Sequence, residues 1–288
     1  MNSILGPVVK SIGDVEPFSS EKLCSSLRQS GAPDDVAQNI CTLVEQELQM
    51  EVTTEDIWRS ALRHLVGRDF TSSARYSLRR AMADLGPTGF LFEQFVEALM
   101  QARGYHTKRN AIVRGASGVD HEIDVLAWND VEYRFIEAKY KNEYGLKTHI
   151  DDVMYAYARI DDICDASSFP KGIDKNKKFI LSYMTNTKFT RNCIMYARHK
   201  DIALVGWDYP QNHSLEDMVV QYKLYPITVL PSVTHIERGI FTKHNMILAQ
   251  DILPFSRHDL VKKFAIDPQV ATAILADAHR LIPSPLHI

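Results

Sequence analysis

Cysteine is scarce in this chain and shows no metal-site spacing: Cys24, Cys41, Cys164 and Cys193 are far apart and form no CxxC pair. That argues against a zinc ribbon or a thioredoxin-like redox motif, and each is expected as a small apolar core residue rather than a disulfide half. No run approaches 18 uncharged apolar residues, so no transmembrane helix is expected. The start, MNSILGPVVK, has no basic stretch followed by an apolar segment, so no signal peptide is expected and the expected compartment is the cytoplasm. Neither sign of charge dominates, since 33 Lys and Arg against 36 Asp and Glu leave a net charge of -3. A histone-like, polybasic whole-protein partner is thereby excluded, whereas a local basic cleft is not. No internal repeat is evident. The one charge-dense patch, Lys171 to Lys178, reads as an exposed loop.

What is present is an ordinary globular composition, 288 residues with 45% hydrophobic and 24% charged side chains. That length suggests about two domains with a small extra module, and a chain this long buries about three-quarters of its unfolded surface without needing staples. Three blocks emerge: 1–87, 88–231 and 232–288. The first opens with a β-like run, Gly6 to Lys10, and a turn at Ile12-Gly13-Asp14. Helices follow: one capped near Ser19, one through Val36, Ile40, Leu43, Val44 and Leu48, one starting at Thr53-Thr54-Glu55, and one from Ala74 to Leu85. Gly86-Pro87-Thr88-Gly89 breaks the last. Arg59, Arg63, Arg75, Arg79 and Arg80 make its end basic, with Glu55, Asp56 and Asp84 at pairing distance along the helices.

The second block mixes periods. Phe92, Phe95, Val96, Leu99 and Met100 are spaced for an amphipathic helix ending at Gly104. Glu122 to Trp128 and Tyr133 to Tyr140 read as strands, with Asn129-Asp130 as the turn of a hairpin. A helix from about Lys147 to Cys164 comes next. Lys178 to Thr185 and Ile202 to Trp207 read as buried strands around a helix at Thr190 to His199, a parallel crossover, so the block is α/β. The third block is mostly helical, punctuated by Pro254, Pro268, Pro283 and Pro285.

Chemistry concentrates in Asp124 and Glu137-Ala138-Lys139. On a strand, Glu137 and Lys139 project from one face. If the hairpin centres between Asp130 and Val131, residues whose numbers sum to 261 face each other, Asp124 and Glu137 among them. Two carboxylates so placed repel unless a cation lies between them. A hard divalent ion such as Mg²⁺ resolves that conflict, and the Lys139 ammonium beside it can serve a water or a developing phosphoryl charge. Spacing alone leaves a second reading open, in which all three are solvent-side residues of an amphipathic hairpin. The apolar setting, Ile123, Val125, Leu126, Phe135 and Ile136, favours a site.

Asp124 with Glu137-Ala138-Lys139, preceded by a helix with Phe92-Glu93 and by Gly104-Tyr105, resembles the PD-(D/E)xK restriction-endonuclease-like superfamily. His121 to Val125 followed by Ile136 to Lys139 resembles its Mrr-like branch, over roughly Thr88 to Trp207. The resemblance implies a mixed sheet flanked by helices and a Mg²⁺-dependent DNA endonuclease. It implies Asp124, Glu137 and the Ala138 carbonyl as metal ligands, Lys139 for the attacking water, and Glu93 in support, with Glu97 one turn later as the alternative. Lys141, Lys147 and Arg159 are then candidates for backbone phosphates. An RNA nuclease, or a nucleotide-responsive DNA-binding regulator that keeps the fold without cleaving, stays open. Cutting both strands of a duplex would favour a homodimer.

Val8-Val9-Lys10-Ser11-Ile12-Gly13, Glu16-Pro17-Phe18 and Glu21-Lys22-Leu23 are similar to the start of an ATP-cone, over about residues 5 to 85. This resemblance implies ATP or dATP as a regulator, with Val9, Lys10, Gly13 and Lys22 at the nucleotide. Ser11 departs from the family, which has a basic residue there, and this weakens triphosphate binding more than the fold.

Overall fold

The computed structural model describes residues 7–9, 15–47, 52–86, 89–142, 146–165 and 177–283. Near the N-terminus, β1 (Pro7–Val9) pairs antiparallel with β2 (Val15–Pro17) and parallel with β3 (Val52–Thr53). Three helices pack beside this small sheet: α1 (Ser20–Gln29), α2 (Asp34–Glu47) and α3 (Thr54–Arg68). Their starts follow local chemistry. Ser19 caps α1 through the N–H of Lys22, and Thr53 forms a reciprocal capping box with Asp56 at the head of α3. Leu27, Ile40, Val44, Ala61 and Leu65 are fully buried in their shared core.

The cysteines depart from expectation here. Cys24 and Cys41 are buried and joined by a disulfide that ties α1 to α2. The antiparallel approach of two helices, which sequence spacing does not reveal, brings the two sulfurs together. Cys193 is buried in the apolar core as expected, whereas Cys164 is exposed.

Helix α4 (Phe70–Ala83) leads into α5 (Gly89–Ala102), and a five-stranded mixed sheet follows. Its strands are β4 (His106–Arg114), β5 (Asp120–Trp128), β6 (Glu132–Lys139), β8 (Lys178–Thr185) and β10 (Ala203–Val205), in the spatial order β10-β8-β6-β5-β4. Strand β5 runs antiparallel to its neighbours β4 and β6; β6, β8 and β10 run parallel. The parallel steps need crossovers, supplied by α6 (Ile150–Cys164) and α7 (Arg191–His199). Short β7 (Lys147–Thr148) and β9 (Lys188–Phe189) pair beside them.

Strand β4 escapes the sequence reading. It is the sheet's edge, and its first half, His106 to Asn110, presents polar side chains on both faces, which hides the alternation. The β5–β6 hairpin is as expected: Trp128 opposes Tyr133 and Val125 opposes Ile136, while Asn129 Oδ1 accepts the N–H groups of Val131 and Glu132 at 2.9 and 3.0 Å.

The sheet is covered on both faces. On one, α6 and α7 bury Val153, Ala156, Ile163 and Cys193 against Phe135, Leu181 and Tyr183. On the other, α4, α5 and the C-terminal helices share one core, where Phe92, Phe95, Leu99, Phe241 and Ile274 are fully buried. Each such side chain contributes about 1.5–3 kcal/mol. The C-terminal helices are α8 (Leu215–Tyr222), α9 (His235–Lys243), α10 (Arg257–Phe264) and α11 (Pro268–Leu281), the last opening with Pro268 in its first turn. Side chains from three places also cap α4: Thr228 Oγ1, between α8 and α9, donates to the Ala81 carbonyl at 2.6 Å, Arg238 of α9 to that of Asp84 at 2.8 Å, and the Tyr140 hydroxyl, just after β6, to that of Ala83. Among the described residues no helix is long and apolar enough to cross a membrane.

Candidate functional site

The chain is irregular at Asp124. The β5–β6 ladder stops at Val125 opposite Ile136, one step before Asp124 would meet Glu137. On the other side, β4 pairs with β5 through Arg109–Val125 and Ala111–Ile123, skipping Asn110 and Asp124. Asn110 has φ 51°, a left-handed conformation that asparagine tolerates better than most residues. The faces switch at this point. Val125 and Ala127 belong to the α5-side core, whereas Ile123, which strict alternation would put with them, belongs to the α6-side core. Asp124 thus leaves both ladders, and its Oδ2 accepts the N–H of Ala138 at 2.7 Å.

Glu137 and Lys139 lie on one face of β6, as spacing predicts. Glu137 Oε2 accepts Arg159 Nη1 at 2.8 Å, while Nη2 of the same guanidinium donates to the Glu122 carbonyl. Lys139 ends β6 and is exposed, and Ala138 between them is buried. Helix α5 brings Glu93 to the same place. The alternative, Glu97, is engaged elsewhere: it accepts Arg109 Nε at 2.7 Å and Thr107 Oγ1 at 3.2 Å.

Three carboxyls here are held above their ordinary range. Burial is the main cause for each. The charge of Asp124 then raises Glu93 and Glu137 further, and the charge of Glu122 raises Asp124 and Glu93. Opposing these, the Ala138 N–H, Arg159 and Lys139 draw Asp124 down, Arg159 and Lys139 draw Glu137 down, and Asn110 and Arg109 draw Glu93 down. The result is a desolvated acidic cluster built from α5, β5 and β6, with one exposed ammonium at its rim. Such perturbation by burial and like charge is characteristic of sites that bind or react.

Asn110 and Glu122 belong to this cluster and escape the sequence reading. Asn110 Nδ2 donates to Glu122 Oε1 at 2.8 Å. The usable signal would have been an asparagine interrupting a strand, but β4 itself was not legible.

Of the phosphate candidates, Lys147 is exposed. Lys141 is committed internally, its Nζ 2.9 Å from Asp152 Oδ2 and 3.2 Å from the Lys147 carbonyl, while Asn186 clamps its backbone on both sides. Arg159 is committed to Glu137. Lys177 donates to the Asn129 carbonyl at 2.7 Å, and Lys171 to Asn176 lie outside the described residues. In the N-terminal part, Val9 ends β1 and Lys22 pairs with Glu16 at 3.2 Å, whereas Lys10, Ser11 and Gly13 lie outside the described residues. Arg59 pairs with Glu55 at 3.1 Å, and Arg80 reaches the same carboxylate.

A second polar hub fixes α6 over the site. Asp162 accepts His121 Nε2 and Ser117 Oγ, both at 2.7 Å, and the Ser117 N–H at 2.8 Å. These bonds, that of His121 foremost, hold its carboxyl down at about 2. Gly115 lies so close to Asp162 that a Cβ there would overlap the carboxylate.

No family model matches the chain. Over 187 residues it is 29% identical to an uncharacterized protein of Archaeoglobus fulgidus, an alignment spanning 64% of this chain and 98% of that protein. A crystal structure of a protein of unknown function aligns with a TM-score of 0.54 at 28% identity, covering 68% of this chain and 98% of that one. The chain is therefore similar to a shorter archaeal protein along nearly that protein's whole length, and about a third of its own residues lie outside the similarity.

Proposed function

We propose that the chain is a Mg²⁺-dependent DNA endonuclease of the restriction-endonuclease-like, Mrr-like kind. The observation that carries this reading is the convergence of Glu93, Asp124 and Glu137 where β5 parts from β6, with Lys139 beside them. Folding desolvates three carboxyls together only at a cost in stability, and sites that bind cations or do chemistry are where such costs are retained.

The donor chemistry fits a hard divalent ion. Asp124 Oδ2 and Glu137 Oε2 are engaged, while Oδ1 and Oε1 accept no hydrogen bond among the described residues. Those two oxygens and the Ala138 carbonyl would hold Mg²⁺, all of them hard ligands. No group of three or more His, Cys, Asp or Glu side chains stands ready for a metal among the described residues, so waters would complete the shell. Bound there, the ion would supply Lewis acidity and lower the pKa of a water. The chain's own groups do the rest. Lys139 Nζ orients the attacking water or donates to a phosphoryl oxygen, and Glu93 holds the cluster's outer side through Asn110. Water attacks phosphorus and releases a proton to solvent, the P–O bond to the leaving group breaks, and that oxygen takes up a proton from solvent. The near-neutral chain would grip the phosphate backbone modestly and in a salt-dependent way, with Lys147 available for contact. The N-terminal unit, 1–87, would bind ATP or dATP as a regulator through Val9, Lys10, Gly13 and Lys22.

The test is a cleavage panel of supercoiled, linear duplex and single-stranded DNA and RNA, with Mg²⁺ or Mn²⁺, with and without ATP. Wild type is expected to cut DNA only with metal, and Lys139→Ala to lose about 100-fold or more. Glu93→Gln should lose about tenfold, whereas Glu97→Gln should retain cleavage and melt earlier. An inert wild type, or equal cutting by Lys139→Ala, would sink the reading. Cutting of RNA alone would move the activity to RNA.

A further inference from the structure

Arg159, a phosphate candidate by sequence, is instead turned inward onto the acidic cluster. It projects from α6 and grips two strands at once, Glu137 on β6 and the Glu122 carbonyl on β5. These positions flank the point where Asp124 leaves its ladders. The ion pair is largely shielded, with side-chain exposures of 17% for Arg159 and 20% for Glu137. Lys139, the other cation acting on both carboxylates, is exposed and so weakened by solvent. Arg159 is therefore the principal charge balancing Asp124 and Glu137 while no metal is bound.

The two carboxylates differ in how they are held. Asp124 is anchored by a backbone N–H, which cannot leave without parting β5 from β6. Glu137 is held by a side chain, which can. A second partner for that side chain is already in contact and would keep it when Glu137 is released. Tyr155, one turn earlier on α6 and 68% exposed, has its ring centroid 5.7 Å from the guanidinium carbon. Guanidinium groups stack well on such rings. The helix itself is pinned at Asp162 by His121 and Ser117, so the movement is confined to the side chain.

We propose that Arg159 is a displaceable internal cation: it neutralises Glu137 in the metal-free protein and leaves that carboxylate toward Tyr155 when a divalent ion enters. The inference rests on Asp124 and Glu137 being the donors to that ion. Two physical effects then oppose metal entry in the wild type and vanish with the guanidinium: repulsion between like charges, and the hold of Arg159 at Oε2 on the carboxylate whose Oε1 the ion would take.

The experiment is calorimetric titration of Mn²⁺ alone into wild type, Asp124→Asn, Arg159→Gln and Arg159→Lys, each first shown to be folded by circular dichroism. Asp124→Asn should lose binding. Arg159→Gln should bind about tenfold tighter than wild type, equivalent to about 1.4 kcal/mol. Arg159→Lys, which keeps the charge but not the two-strand fork, should bind about two- to threefold tighter. Binding by Arg159→Gln where wild type shows none also supports the displacement. Unchanged or weaker binding by Arg159→Gln overturns it, and a loss in Asp124→Asn then leaves the cation site standing. No binding by either wild type or Arg159→Gln overturns both. If Arg159→Gln does not fold, Arg159→Lys decides alone: tighter binding supports displacement, and equal or weaker binding overturns it.

Discussion

Asp124 Oδ2 lies 2.7 Å from the backbone nitrogen of Ala138, so a side chain replaces the ladder hydrogen bond that its own strand no longer makes. That contact fills the gap between β5 and β6 and commits one carboxylate oxygen to structure, leaving the other for chemistry.

Replacing Asp124 should separate these two duties. Asparagine still offers an oxygen to the Ala138 N–H, so Asp124→Asn keeps the contact but loses the charge, and cleavage should fall about 100-fold or more. The folded state holds this carboxyl above its ordinary range, chiefly by burial, so ionisation opposes folding. The penalty is absent below the unfolded-state pKa near 4 and grows as pH rises through the raised folded value. Asp124→Asn should therefore melt no lower than wild type at neutral pH, with its relative stability rising with pH over that window. Asp124→Ala leaves the N–H of a buried residue without its acceptor and should be about 1–3 kcal/mol less stable than Asp124→Asn. Thermal melts across pH, with cleavage assays alongside, check both. An Asp124→Asn protein melting well below wild type would contradict the account.

The Asp162 hub predicts the opposite pH dependence. Its carboxyl is held down at about 2 by His121 and Ser117, so the stability it adds is fully present above the unfolded value near 4. That contribution should fade as pH falls from about 4 to 2. The stability gap between wild type and Asp162→Asn should be flat above about pH 5 and shrink below it. Gly115→Ala should displace the same carboxylate at every pH and lower the melting temperature. A Gly115→Ala protein melting like wild type would show that Asp162 has room to move.

Lys141 and Lys147 are both lysines near the site, and their environments assign them different work. Lys141→Met strips a largely shielded partner from Asp152 and should cost about 1–3 kcal/mol. Lys147→Ala should change stability by less than about 0.5 kcal/mol. Its effect belongs to DNA binding, where it should weaken affinity across sequences and reduce the salt dependence by about one counterion. Denaturant melts and fluorescence anisotropy at several salt concentrations test the pair. A Lys147→Ala protein with wild-type affinity and salt slope would remove it from the interface.

Much of this arrangement was legible in the residues themselves. Asn129-Asp130 between two apolar runs marks a hairpin, and the residue pairing that follows from centring it there is the pairing observed from Val125–Ile136 to Trp128–Tyr133. Ser19 and Thr53 announce helix starts because a side-chain oxygen before an apolar-periodic run satisfies unpaired N–H groups. Strand β4 was hidden, since its first half, His106 to Asn110, carries polar side chains on both faces and masks the alternation. The choice between Glu93 and Glu97 was open along the chain, because one helical turn separates them and both suit the same face.

The linear sequence, then, was enough to specify the hairpin, the strand-helix-strand crossover from β8 to β10, most of the helices, and the shared face of Glu137 and Lys139. These depend on period, turn chemistry and caps, all of which act within a few residues. Tertiary structure alone decided that Asp124 leaves both ladders, that Glu93 joins it while Glu97 goes to Arg109, that Cys24 meets Cys41, and that Arg159 lies on Glu137. Each of these is a contact between separate elements, set by how helices rotate and seat against the sheet. Burial then gives the acidic cluster its character: the same carboxylates on a solvated hairpin would titrate normally, and only the closing of α5 and α6 over them removes the water that would keep them so.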